Sequence, residues 1–144
     1  MARPTRTQIE RLARAMDTFT RRFKVAQAAA AGHRALNPLE AQTLLYVVEH
    51  PDCGLGDVAR YLDVAMTTMS SATDRLVRRG LVARRRPEGN RRAIALNATD
   101  AGLAEADAQK LAYAEACRAM LRALDREEQE ALIRLTEKVA THDG

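Results

Sequence analysis

Apolar residues recur along the chain with a spacing that changes from segment to segment. From about Thr5 to Ala31 they fall at Ile9, Leu12, Met16, Phe19, Phe23, Ala26 and Ala30, alternating three and four. That is the stripe of an amphipathic helix of heptad type, and nothing near it in sequence offers a surface to bury it on. Gly32 and His33 mark its end. Asn37-Pro38-Leu39-Glu40 then supplies a capping side chain, a proline at the first helical position and a carboxylate three residues after the cap. The helix that follows carries Leu39, Leu44, Leu45, Val47 and Val48 and closes before a loop at Pro51-Asp52-Cys53-Gly54.

A short helix from about Leu55 to Leu62 places Leu55, Val58, Ala59 and Leu62 on one face. Asp63-Val64-Ala65 reads as a three-residue turn, with Asp63 where glycine is usual and Ala65 offering no capping oxygen. A helix from about Met66 to Arg79 follows, with Met66, Met69, Ala72, Thr73, Leu76 and Val77 expected inward and Gly80 as its left-handed stop. Helix, short turn, helix is helix-turn-helix spacing. Leu81 to Arg85 reads as a strand, Pro87 to Asn90 as a turn, and Arg92 to Leu96 as the returning strand. A ribbon directly after a helix-turn-helix is a wing. Thr99 caps a long helix, about Asp100 to Leu124, with Leu103, Ala106, Leu111, Ala114, Cys117, Leu121 and Leu124 available for burial. Asp125 and Glu128 form a capping box, and the last helix, to about Ala140, is striped by Leu132, Leu135 and Val139. The expected fold class is mainly α, a winged helix-turn-helix between long terminal helices, with about six helices and a two-stranded wing. The expected divisions are an N-terminal helix over 1–35, a winged helix-turn-helix over 36–98 and C-terminal helices over 99–144.

Composition narrows the class. Of 144 residues, 47% are hydrophobic, 29% charged and 3% aromatic, which suits a globular domain and excludes fibrous or disordered chains. No apolar run reaches the roughly 18–20 residues a membrane span needs. The basic start, Arg3 and Arg6, precedes no apolar stretch, so no secretory leader is expected. Two cysteines, Cys53 and Cys117, cannot form a disulfide framework and read as free thiols of a reducing cytoplasm.

The net charge is +4, but its distribution says more. Residues 1–34 hold eight basic and two acidic side chains, whereas 35–74 hold one basic and six acidic. Residues 75–92 hold eight arginines against Glu88, and 93–144 hold six basic and ten acidic side chains. Arginine at that density is the footprint of a polyanionic partner, nucleic acid above all.

Taken in order, these pieces resemble the MarR family of bacterial transcriptional regulators. The stretches that carry the resemblance are Leu36-Asn37-Pro38, Asp57-Val58-Ala59-Arg60-Tyr61-Leu62 and Thr67-Thr68-Met69-Ser70. Asp74-Arg75-Leu76-Val77-Arg78-Arg79-Gly80-Leu81-Val82, Arg84, Asn90-Arg91-Arg92 and Thr99-Asp100-Ala101-Gly102 continue them. The resemblance implies a cytoplasmic, nucleoid-associated homodimer in which the first, fifth and sixth helices interlock and the winged lobes reach DNA. The apolar stripes of the terminal helices agree with this, and Ile9, Leu12, Met16, Phe19, Leu121, Leu124, Leu132 and Leu135 are the candidate dimerisation residues. Two positions depart from the family pattern: Asn90 stands where the wing usually has Asp, and Ser71 where a longer side chain is frequent.

The major groove of B-DNA admits one α-helix, and the second motif helix is the candidate. Thr67, Thr68, Ser70 and Ser71 present short hydroxyls there, and Arg75 shares the outer face. Arg84, Arg85 and Arg86 climb the wing strand, where alternation sends neighbours to opposite faces. Arg84, Arg86, Arg91 and Arg92 are the wing candidates, with Arg92 assigned to the minor groove.

The resemblance also implies a small, often aromatic and acidic, phenolic effector in a crevice between dimer body and DNA lobe, with Arg14, Arg21, His33, Tyr46 and Met16 as conceivable lining. No cofactor is expected. His33, His50 and His142 are too dispersed for a metal, and His50 with Cys53 supplies only two good ligands. No Gly-x-Ser-x-Gly, phosphate-binding glycine loop or paired carboxylates point to an enzyme. The reading is therefore a ligand-responsive repressor of double-stranded DNA. The alternatives are a redox sensor acting through Cys53, which sits beside a loop, and a winged-helix protein-interaction module without specific DNA binding.

Overall fold

The apolar faces between Leu36 and Ala106 collapse onto one another because each element leaves one side unsatisfied. The computed structural model describes residues 2–31, 36–86 and 93–143, with backbone alone for 24–31. Among the described residues the order is α1 (Arg6–Ala31), α2 (Pro38–Glu49), α3 (Leu55–Leu62), α4 (Met66–Arg78), β1 (Val82–Arg85), β2 (Ala95–Ala98), α5 (Asp100–Arg122) and α6 (Arg126–Ala140). The winged helix-turn-helix expected from the spacing is present.

The chain forms two compact units, His33–Leu111 and Met1–Gly32 with Ala112–Gly144. In the first unit, Leu44 and Val47 of α2, Val58 and Ala59 of α3, and Met69 and Leu76 of α4 make the buried centre. Leu81, Val82, Leu96 and Ala106 close it from the wing and α5. The division at Leu111 assigns the first turns of α5 to this unit, because Gly102 and Ala106 are buried in it.

Local chemistry sets most helix ends. Asn37 Oδ1 accepts from the Glu40 amide at 2.8 Å, with Pro38 at the start of α2. Asp63 ends α3 at φ +54° and Gly80 follows α4 at φ +72°, both in the left-handed region. Asp125 and Glu128 cap α6 reciprocally, at 2.9 and 3.0 Å. Thr99 joins two elements: its Oγ1 accepts from the Gly102 amide at 3.0 Å and donates to the Gly80 carbonyl. A Cβ on Gly102 would stand 2.0 Å from the Leu81 carbonyl oxygen, so only glycine fits there.

Several expectations are corrected. The returning strand lies at Ala95–Ala98 rather than 92–96, in register Val82↔Ala98 to Arg85↔Ala95. The reason is non-local: the Leu96 amide donates to the Cys53 carbonyl at 2.8 Å, and this bridge pins β2 to the α2–α3 turn. Met66, expected inward, is 51% exposed, since the buried face of α4 begins at Met69. Leu103, Leu111 and Ala114 of α5 are exposed, because periodicity gives a direction and not a neighbour. α5 stops at Arg122, not Leu124. The amides of Ala123 and Leu124 bond three residues back, and Gln129 Nε2 donates to the carbonyls of Leu121 and Leu124 at 2.8 and 3.2 Å. The wing turn, Pro87 to Asn90, and the end of the first helix at Gly32 and His33 lie outside the described residues.

Candidate nucleic-acid interface

The burial of α4 is one-sided. Met69, Ala72, Thr73 and Leu76 are buried, which turns Thr67, Thr68, Ser71 and Arg78 to solvent. Ser70 and Arg75 lie half-buried at the edge of that face. The side chains of Thr67, Thr68 and Ser71 are short, so at those positions the helix adds little bulk between its axis and a groove floor. Arg75 leans back toward α2, where its Nε is 3.7 Å from Oε1 of Glu40, a carboxylate itself buried at 9% exposure. Glu40 thus restrains the guanidinium at the edge of the helix.

The wing strand separates its arginines by alternation. Arg84 turns to α4 and pairs with Asp74. Arg85 turns the other way and pairs with Asp52 at 2.8 Å. Between the start of α3, the outer face of α4 and the wing lies a groove of about 410 Å³. Leu55, Leu96 and Ile94 give it an apolar lining, and Ser70, Asp74, Arg84, Arg85 and Arg86 a polar rim. A concave surface with guanidinium groups on its edge suits a phosphate-bearing ribbon rather than a neutral partner. Arg91 and Arg92, the remaining wing candidates, lie outside the described residues.

The pairing of Arg84 and Arg85 with carboxylates was not legible in the sequence. Alternation announced that the two diverge, but Asp52 and Asn97 are 45 residues apart and nothing local joins them. Asp52 sits at φ +63°, and its carboxyl is held below the usual carboxylate range by hydrogen bonds from Asn97 and Arg85.

Cys53, which sits beside a loop and is the thiol of the alternative redox reading, is buried at 7% exposure. Desolvation, with Asp57 nearby, pushes its thiol up from the ordinary value, so it is protonated at neutral pH and a poor nucleophile. Cys117 is half-buried on its helix. His50 stacks on Tyr46 with ring centroids 4.0 Å apart, and Tyr61 lies 4.8 Å from Tyr46. Among the described residues no group of three His, Cys, Asp or Glu could hold a metal, and no helix is long and apolar enough to cross a membrane.

Among the candidate dimerisation residues, Ile9, Leu12, Met16 and Phe19 of α1 and Leu132 and Leu135 of α6 are exposed in the single chain, while Leu121 and Leu124 are half-buried. Arg11, Arg14 and Arg22 flank Phe19 and Phe23 on α1, and the two rings lie 4.6 Å apart.

Residues 36–93 match the model of the MarR family. That match spans α2 to β1 and leaves out the terminal helices. MarR-family regulators are DNA-binding transcription factors and not enzymes, and they need no cofactor. Solved MarR-like structures share the fold over nearly the whole chain. FabT of Streptococcus pneumoniae, crystallised in complex with DNA, is 19% identical, with 92% of this chain and 94% of that one covered and a TM-score of 0.77. A probable transcriptional regulator from Pseudomonas aeruginosa is 25% identical, with coverage of 88% and 95% and a TM-score of 0.71. PcaV of Streptomyces coelicolor, crystallised with its natural ligand, is 23% identical, with both chains covered fully and a TM-score of 0.71. No curated protein matches the sequence.

Proposed function

We propose that this chain is a ligand-responsive repressor that binds a pseudo-palindromic operator as a homodimer. The observation that carries the DNA reading is the solvent-facing row of Thr67, Thr68 and Ser71 on α4, set beside a strand bearing Arg84, Arg85 and Arg86. In this reading Thr67, Thr68, Ser70, Ser71 and Arg75 meet the major groove, and Arg91 and Arg92 reach the adjacent minor groove. Arg86 adds to the phosphate field of the wing, and Arg84 reaches phosphate only from its pairing with Asp74. The DNA complex of FabT supports the partner class.

The exposed apolar residues of α1 and α6 support the homodimer. Ile9, Leu12 and Met16 are each more than half exposed, a density of apolar surface that a monomer in water does not sustain. Two copies would place their recognition helices one helical turn apart, about 10–10.5 base pairs. The effector we propose is a small aromatic or phenolic acid, which suits the arginine-rich character of the chain and agrees with the ligand complex of PcaV.

Mobility-shift and anisotropy titrations against the DNA upstream of its own gene test the reading. Specific binding is expected, and Arg92→Ala should weaken it and reduce the salt slope by about one for each phosphate that is no longer neutralised. Equal affinity for that duplex and for unrelated DNA would remove sequence specificity from the proposal. A thermal-shift series with phenolic acids tests the effector, with stabilisation by at least one acid expected.

A further inference from the structure

The α2–α3 turn carries an arrangement that DNA contact alone does not require. Asp52 adopts φ +63°, a conformation that L residues other than Asn and Asp seldom take. Its amide donates to Asn97 Oδ1 at 2.9 Å. Its Oδ1 accepts from Asn97 Nδ2 at 2.9 Å and from Arg85 Nη2 at 2.8 Å. One carboxylate oxygen therefore holds β1 through Arg85 and β2 through Asn97. The next residue, Cys53, takes the Leu96 amide at 2.8 Å, and the one after it, Gly54, is the first cap of α3. Three consecutive residues thus tie both wing strands to the start of the helix-turn-helix. On the opposite face of β1, Arg84 is tied to Asp74 of α4.

We propose that Asp52 is a positioning residue for DNA binding, which fixes the base of the wing by gripping Arg85 and Asn97 at once. The proposal rests on the DNA-binding reading above. Its physical content lies in a conflict of signs. Asp52 is an acid placed beside the most basic segment of the chain. By field alone, its removal favours DNA, since one repulsive charge disappears from a surface facing phosphate. By positioning, its removal weakens DNA binding, because the wing loses its tie to α3 and its arginines must be ordered at the moment of association. Both side chains of the Asp52–Arg85 pair are more than half exposed, so the pair adds little to global stability and its loss does not unfold the domain.

The test is an anisotropy titration of the full chain with a fluorescein-labelled duplex from upstream of its own gene, run with the parent, Asp52→Ala, Arg85→Ala and the double variant. Melting temperatures should stay close to the parent. Each single variant should bind about fivefold more weakly, the size that an ion pair of this exposure supports. The double variant should bind no more weakly than the weaker single one, since both remove the same tie. Amide exchange at Leu96 should accelerate about fivefold in Asp52→Ala, because the Cys53 bridge loses its neighbour. Asp52→Ala binding as tightly as the parent or more tightly overturns the proposal, as do losses that multiply in the double variant. Unchanged exchange at Leu96 overturns it without reference to DNA. A parent that binds no duplex overturns the functional reading itself, and with it any DNA role for the tie.

Discussion

Gly102 is where a single methyl group decides the outcome. By helix propensity alone, Ala at this position of α5 is better than Gly by about 1 kcal/mol. The structure reverses that preference, because a Cβ would meet the Leu81 carbonyl oxygen at 2.0 Å and backbone cannot step aside as a flexible side chain does. Gly102→Ala should lower stability by up to about 2 kcal/mol, an overpacking cost of about 1–3 kcal/mol less the helix gain of about 1 kcal/mol, and urea unfolding of the two proteins measures it. The local pattern places Thr99-Asp100-Ala101-Gly102 at the opening of α5 but does not supply this reason. The close approach depends on Leu81, 21 positions earlier, whose carbonyl also takes the Thr99 amide. The same limit hid the partners of Arg84 and Arg85. An arginine-rich run was legible as a charge density, but which guanidinium groups are engaged by Asp74 and Asp52 depended on residues 10 and 33 positions away.

At the scale of elements, α4 separates its two tasks by face. Its outer residues are hydroxyls and arginines, and its inner ones fill the core. Thr73 breaks that division: it is 1% exposed, and among the described residues its Oγ1 has no hydrogen-bond partner. A buried hydroxyl without a partner loses its hydration and gains nothing in exchange. Thr73→Val keeps the shape and removes the polar atom, so stability should rise by about 1 kcal/mol while affinity for DNA stays constant. Thermal unfolding paired with anisotropy checks both halves, and a loss of stability would show that the hydroxyl is satisfied. Helix ends followed from local signals, as Asn37, Thr99 and Asp125 illustrate, because a cap bonds within three residues. The position of β2 did not, because its register answers to Val82 and Cys53 rather than to its own alternation.

For the whole molecule, the proposed dimer makes the apolar faces of α1 and α6 essential. Leu12 is 64% exposed and Leu135 49% exposed in the single chain. Leu12→Asp combined with Leu135→Asp should halve the mass found by light scattering while leaving the winged unit folded. Affinity for a two-half-site duplex should then fall on the order of 100-fold, since the second half-site no longer binds as an intramolecular event. A variant that stays at the parent's mass would place the interface elsewhere.

Elements, their order, their caps and the helix-turn-helix followed by a ribbon were set by the chain's own pattern, because helix formation and capping act over three or four residues and hydrophobic period reports them directly. The MarR-like order of motifs was legible for the same reason. Tertiary structure alone decided that Cys53 is buried, that β2 begins at Ala95, and that Glu40, Asp52 and Asp74 each engage an arginine. Those outcomes depend on which distant residue stands opposite, and burial, pairing and pKa are properties of that neighbour as much as of the residue itself.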